Sequence, residues 1–499
     1  MYPLQLPRET VSDNTPPPLL IGYVSVQGAE SLLAARPTRL RKTLAAYRAK
    51  KATRNSVRHD LEKSGFAVLA ESALGFSVAA PGGAYEEITG GTLRAREVLA
   101  DIDADYTTYV THWDIVGDAQ PKTLGVARPA SKALKVDGIL IERPRFVHAV
   151  FPSPIPPGSP KFHLRVPLDV AVGLSAVPVQ QLGHLGEGIL VVMPDSGWFR
   201  HPFFSANGFN VKPTITVVPA TDPSKDPIGH GTGESANIFA AAPAATLQAI
   251  RASNNAGKLV GSVAAFLQAK DLDPKPHIIT NSWGGDQPFP PAGPPDESEM
   301  AFAAEILDAI EQGILVIFSG GNGQFSIEPQ VPGVLAAGGV FLDPVGNIRA
   351  SDYTSGYASP WFENVAVPSV CGLVGMRPRA QYLMLPVQPD CELDREESEA
   401  DPLVDVTTDG TLSNDGWALF SGSSAAAPQL AGIAALMLAA KPGLTPAQVV
   451  EAVTRTAIDV NVGRCHPRFN NAAVPGFDFA TGAGLANATA AVQFALDNF

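Results

Sequence analysis

Apolar residues are distributed along this chain in several distinct patterns, each predicting a different element. Gly188 to Pro194 is a continuous apolar run of strand length and reads as a buried parallel strand, and Ile314 to Phe318 is a β-branched strand that breaks into glycines. Ser235 to Ala242 is a run of small residues behind Gly229-His230-Gly231, which suggests a helix with a histidine at its head. Leu430 to Ala440 is apolar all round and stops at the breaker cluster Lys441-Pro442-Gly443, the pattern of a buried helix. Upstream the pattern changes. An extended run at Leu19 to Val26 precedes a polar helical stretch from about Thr38 to Lys63; strand-like runs at Gly65 to Ala70 and Gly75 to Ala80 then lead to a helix start near Tyr85 to Ile88.

Between the two halves the chain is rich in proline from Pro144 to Pro167, as a stiff exposed linker would be. With 499 residues and 45% apolar composition the chain is long enough for more than one domain and can bury a sizeable core. The expected divisions are a domain over 1–143, the linker over 144–165 and a larger domain over 166–499.

A net charge of −13 and a pI near 5.2 argue against nucleic acid as the main partner. No sequence run of 18 or more apolar residues is present, so no membrane partner is expected. Met1 to Thr10 lacks a basic start followed by an apolar stretch, and a cytoplasmic location is the resulting expectation. Cys371, Cys391 and Cys465 cannot all pair within one chain; free thiols are expected, with a Cys371–Cys391 bridge as the alternative. Arg36, Arg39, Arg41, Lys42, Arg48, Lys50, Lys51, Arg54 and Arg58 crowd the first helical stretch, where they form a solvated basic face or a docking face for an acidic surface.

Chemistry enters through four residues. Ser424, in Gly422-Ser423-Ser424-Ala425, falls in the first turn of the apolar helix, where unpaired N–H groups and the helix dipole favour developing negative charge. A serine nucleophile needs an imidazole to take its proton and a carboxylate to hold that imidazole. His230 stands at a predicted helix start and Asp195 at the C-terminal end of the buried strand. Asn322, in the glycine turn after Phe318, offers an amide to an oxyanion. Three of them also have a structural reading, as a helix cap for Ser424 and His230 and as a left-handed turn residue for Asn322.

In the chain order Asp, His, Asn, Ser, these motifs resemble the subtilisin-like serine peptidases, the subtilase family. His201-Pro202, Ile278 to Gly285 and Thr481 to Asn487 extend the resemblance over roughly residues 166 to 499. It implies a three-layer α/β domain with a mainly parallel sheet. The order of predicted elements before it is similar to the small α+β, ferredoxin-like propeptide of that family, which would chaperone folding and block the cleft. By the same resemblance Ser424 attacks the scissile carbonyl, His230 is general base and then acid, Asp195 orients His230, and Asn322 with the Ser424 N–H holds the oxyanion. Ser282, Trp283 and Gly284 would form one wall of the substrate cleft, and Gly320 and Gly321 would lie along the primary specificity pocket.

The implied function is serine endopeptidase cleavage of a protein or peptide substrate through an acyl-enzyme, with the N-terminal domain as an intramolecular inhibitor or chaperone. Two alternatives stand beside it: a transpeptidase or macrocyclase using the same triad, and a catalytically silent binding protein. No metal ligand set or cofactor is expected. Other acidic residues could bind calcium, but the loop that forms a tight calcium site in many relatives is missing after His230. An insertion at about 371–415 carries the acidic run Asp390 to Asp401, which reads as a solvated loop or as a screen favouring basic substrates.

Overall fold

Residues 16–34, 45–103, 106–142, 152–400 and 407–499 are described by the computed structural model, and they fall into two units, Met1–Ala149 and Val150–Phe499. Arg36, Arg39, Arg41 and Lys42, and linker residues 144–151, lie outside the described residues.

The first unit runs β1 (Leu20–Val26), α1 (Lys51–Lys63), β2 (Ala67–Glu71), β3 (Gly75–Ala80), α2 (Gly82–Thr89), the hairpin β4 (Thr92–Asp103) and β5 (Tyr106–Val116), then β6 (Val126–Ala127) and β7 (Val136–Ile141). Its sheet has the antiparallel order β2-β3-β1-β7-β6, with α1 and α2 as the two crossovers. This is the split βαβ arrangement of ferredoxin-like modules, extended by the hairpin β4–β5. Helix α1 buries only Val57 and Leu61, an i,i+4 pair, against Val24, Phe76 and Val78. Its described basic residues face elsewhere, Arg54 and Arg58 reaching Glu71 at 3.0 and 3.4 Å.

In the second unit the strands are fed from two sides. Along β8 (Leu190–Asp195), Val191 and Met193 enter one core while Leu190 and Val192 enter the other. The first core is closed by α3 (His230–Ala241) and the second by α4 (Ser262–Lys270) and α5 (Glu297–Glu311). Between them lies a sheet ordered β9 (Thr246–Arg251), β8, β10 (Ile278–Asn281), β11 (Leu315–Ser319) and β12 (Leu335–Leu342), all parallel, with β13 (Val370–Leu373) parallel beside β12. The domain is therefore a three-layer α/β structure, and burial on both faces is why its strands read as continuous apolar runs.

A smaller sheet, β14 (Leu383–Pro386) with antiparallel β15 (Trp417–Phe420), leads into α7 (Ser423–Ala440); the helix α6 (Glu392–Ser398) lies between these two strands in sequence. Helix α7 is long and apolar enough by length and composition to cross a membrane, and 78% of it is buried inside the domain. Its apolar surface is explained by packing on α3, β13 and Ala488–Asn498.

The described end of the proline-rich linker is exposed at Ser153, Pro154 and Ile155 and is also anchored: Trp417 Nε1 donates to the Ser153 carbonyl at 3.0 Å, and Leu164–Arg165 pairs with β14. One expectation changes. The acidic segment is not a solvated loop, because α6 turns Asp394 and Glu397 inward. Asp394 Oδ2 accepts the Asp390 N–H at 2.8 Å and the Gly416 N–H at 3.3 Å, so that carboxylate ties together the loops around α6. All three cysteines are free and buried.

Candidate active site

Three adjacent parallel strands deliver the site from their C-terminal ends, the edge at which open α/β sheets bind ligands. β8 ends at Asp195, β10 passes into Ser282-Trp283-Gly284, and β11 passes into Gly320-Gly321-Asn322. Helices α3 and α7 add His230 and Ser424 at their N-termini.

Asp195 is buried and its Oδ1 lies 2.8 Å from His230 Nδ1 while also accepting the Ser196 N–H at 2.6 Å. The start of α3 is pinned to this strand. Ser196 Oγ accepts the Gly231 N–H at 2.9 Å, and the buried Asp226 accepts from Ser196 Oγ, the Gly229 N–H, and the N–H and Oγ–H of Thr232 at 2.7 to 3.1 Å. At Gly231 a Cβ would stand 2.3 Å from the Gly197 carbonyl and 3.0 Å from Asp195 Cβ, so only glycine lets the helix come this close. Asp226 carries no motif signal; a sequence reading misses it because its role depends on capping a helix through a loop.

Ser424 is placed by a reciprocal pair with Ser282: Ser282 Oγ donates to the Ser424 carbonyl at 2.7 Å, and Ser424 Oγ donates to the Ser282 carbonyl at 3.1 Å. The first bond has a cause in sequence. Pro428, inside α7, has no N–H to give the Ser424 carbonyl its helical partner, and Ser282 supplies the donor instead. Ser423 is buried and braces Asn322: Asn322 Oδ1 accepts its N–H at 2.8 Å and its Oγ–H at 3.0 Å. That fixes the amide with Nδ2 uncommitted, and among the described residues neither Nδ2 nor the Ser424 N–H has an acceptor. A Cβ at Gly422 would lie 2.9 Å from Asn322 Nδ2, which explains glycine there.

The structure thus brings together Asp195 with His230, and Ser424 with Ser282, Ser423 and Asn322. No hydrogen bond among the described residues joins Ser424 to His230, since the hydroxyl points to Ser282. Gly284 is exposed and Gly320 buried beside the Ala337 carbonyl. The Trp283 ring packs on Phe302 and Phe318, and its Nε1 donates to the Pro194 carbonyl at 2.9 Å. His201 is a buried cap, its Nδ1 accepting the Phe203 N–H at 3.1 Å, and burial lowers its pKa to about 3.

Burial opposes charge on His230, but the Asp195 carboxylate, with smaller contributions from Glu234 and Asp226, more than offsets it and raises the pKa to about 9. Glu234, one turn further along α3, is fully buried, and desolvation raises its pKa to about 8. The connection from α3 to β9 is Ala242-Pro243-Ala244-Ala245, with no side-chain oxygen.

The subtilase family model matches residues 186–484, more than half of the chain. This chain belongs to the subtilase family. It is 25% identical over 341 residues to subtilisin NAT of Bacillus subtilis subsp. natto, covering 65% of this chain and 71% of that protein, and equally so to subtilisin E of Bacillus subtilis. A probable subtilase-type serine protease of Deinococcus radiodurans is 31% identical over 219 residues, 42% of this subtilase and 23% of the relative. Among solved structures, a lanthipeptide protease aligns with a TM-score of 0.47 at 18% identity, over 66% of this chain and 96% of that one. Membership places the subtilase among serine proteases acting on proteins or peptides.

Proposed function

We propose that this subtilase is a serine endopeptidase in which Ser424 attacks the scissile carbonyl and His230 takes its proton. The observation that carries the reading is the 2.8 Å contact from buried Asp195 to His230 Nδ1, which leaves Nε2 as the basic nitrogen. In this reading Ser424 Oγ turns from the Ser282 carbonyl to His230 Nε2 as substrate binds. Attack builds negative charge on the carbonyl oxygen, where Asn322 Nδ2 and the Ser424 N–H are free to donate. His230, now imidazolium against Asp195, returns the proton to the leaving amine, and water then repeats the sequence to release the acyl group. The exposed backbone at Gly284 offers an edge along which an extended peptide adds as a strand.

The first unit, with its ferredoxin-like topology, is proposed to act on the catalytic domain as chaperone or inhibitor. The catalytic assignment is tested with a fluorophosphonate probe and a peptide library. The wild-type chain is expected to be labelled at Ser424 and to cleave peptides, and Ser424→Ala to do neither; undiminished cleavage by the variant refutes the assignment.

A further inference from the structure

Glu234 is a charge-bearing residue buried at the site without a part in the mechanism above. It has no solvent exposure, and its Oε2 accepts from Asn237 Nδ2 at 3.0 Å. Among the described residues its Oε1 has no hydrogen-bond partner, and it lies 3.8 Å from His230 Nε2, the nitrogen on which the mechanism depends. Leaving a buried carboxylate oxygen unpaired is costly unless a nearby group can share charge or a proton with it.

The carboxylate is also held from behind. Asn237 Oδ1 accepts from Gln429 Nε2 at 3.2 Å, and Gln429, on α7, is itself clamped to the N–H and carbonyl of Leu373 at 2.7 and 3.0 Å. A polar chain therefore runs from the sheet through the Ser424 helix to Glu234, and it stops at the imidazole. Ser424 Oγ, meanwhile, is occupied with the Ser282 carbonyl.

We propose that Glu234 is a positioning residue that competes with Ser424 for His230 Nε2, so that the resting site stores one proton between imidazole and carboxylate and holds the nucleophile off its base. The proposal rests on His230 being the general base. In the resting pair the proton sits on Nε2 as imidazolium against carboxylate, or on Oε1 as carboxylic acid against imidazole; both forms contain the same atoms and net charge. Losing that proton to water leaves neutral His230 beside ionised Glu234, with the Nε2 lone pair open to Ser424 Oγ–H.

The pair titrates as a unit. The charged and titratable groups around it are Asp195 from β8, Asp226 from the loop before α3, and Tyr353, whose hydroxyl bonds Ser421 Oγ at 3.1 Å and whose ionisation Glu234 opposes. The neighbouring Phe420 ring, 6.4 Å from the imidazole, carries no charge. Burial disfavours charge on His230 but the Asp195 carboxylate more than offsets it, and burial raises Glu234; both groups therefore stand above their ordinary values, and the open form is favoured at alkaline pH.

The test uses the full chain with Glu234→Gln and Glu234→Leu. The His230 imidazole is titrated by NMR, its resonance identified by loss in His230→Gln, and the rate of Ser424 labelling by a fluorophosphonate is followed against pH. Both variants are expected to lower the His230 midpoint by a unit or more and to speed labelling at pH 7 by about tenfold or more, since each unit gives about ten times more neutral imidazole below the midpoint. A folded variant with an unmoved midpoint overturns the proposal, because a residue of purely structural value would change stability and leave the titration alone. If the Leu variant does not fold, the nearly isosteric Gln variant decides. Absence of labelling in every chain at every pH would instead overturn the general-base reading, and the NMR midpoint would still judge Glu234.

Discussion

Asn322 separates two tasks within one side chain. Its Oδ1 holds the start of α7 through Ser423, and its Nδ2 is left for an oxyanion. Asn322→Asp keeps the acceptor and removes the donor, and it is expected to lower kcat by about 10²–10³-fold, or about 2.7 to 4 kcal/mol of transition-state stabilisation, with KM little changed. Steady-state kinetics alongside a melting curve check this: a comparable loss in KM, or a collapse of folding, would mean that the acceptor role dominates. His230, Asp195 and Ser424 were legible as residues because glycine-flanked chemistry at predicted element ends is unusual. Glu234 and Asp226 were not, because a lone acidic residue shows its burial and partners only once the helix is packed.

At the level of elements, α3 and α7 meet along small residues, with Gly432 close against the Ile238 carbonyl, and this contact holds the His230 and Ser424 helices together. The segment around α6 contributes to the pH dependence of the domain's stability. Burial raises Asp394 to about 8 and Glu397 to about 7, whereas both ionise in the ordinary carboxylate range when unfolded. Between about pH 4 and 8 the folded state therefore binds more protons than the unfolded state, and stability falls as pH rises through that window. His230, raised to about 9, contributes in the same direction from above its ordinary value. Denaturant midpoints measured from pH 5 to 8.5 are expected to decline, and Asp394→Asn, which keeps an oxygen for the Asp390 and Gly416 N–H groups, is expected to flatten the decline. A slope equal in both chains would show that Asp394 ionises freely in the folded protein. That an acidic run would bury two of its carboxylates was not readable from charge pattern, because the donors that receive them come from residues far away in the sequence, such as Gln381 and Gly416.

For the whole molecule, the proposed relation between the two units predicts a chemical event. Expressed as the full chain, the active protein is expected to lose about its first 165 residues over time while Ser424→Ala stays whole, as followed by intact mass. Retention of full mass in an active, probe-labelled protein would make the first unit a permanent part. Periodicity and composition by themselves predicted the alternation of buried strands with helices and a chain long enough for more than one domain, because local pattern decides which segments must be covered on which face, while the motifs in the order Asp, His, Asn, Ser pointed to the four residues at element ends. Tertiary structure alone decided that Ser424 Oγ rests on Ser282, that Trp283 points into the core, that the linker's end joins a sheet, and that Glu234 faces His230. Those outcomes depend on which distant donors and surfaces arrive beside a residue, and such pairings become definite only when the layers pack.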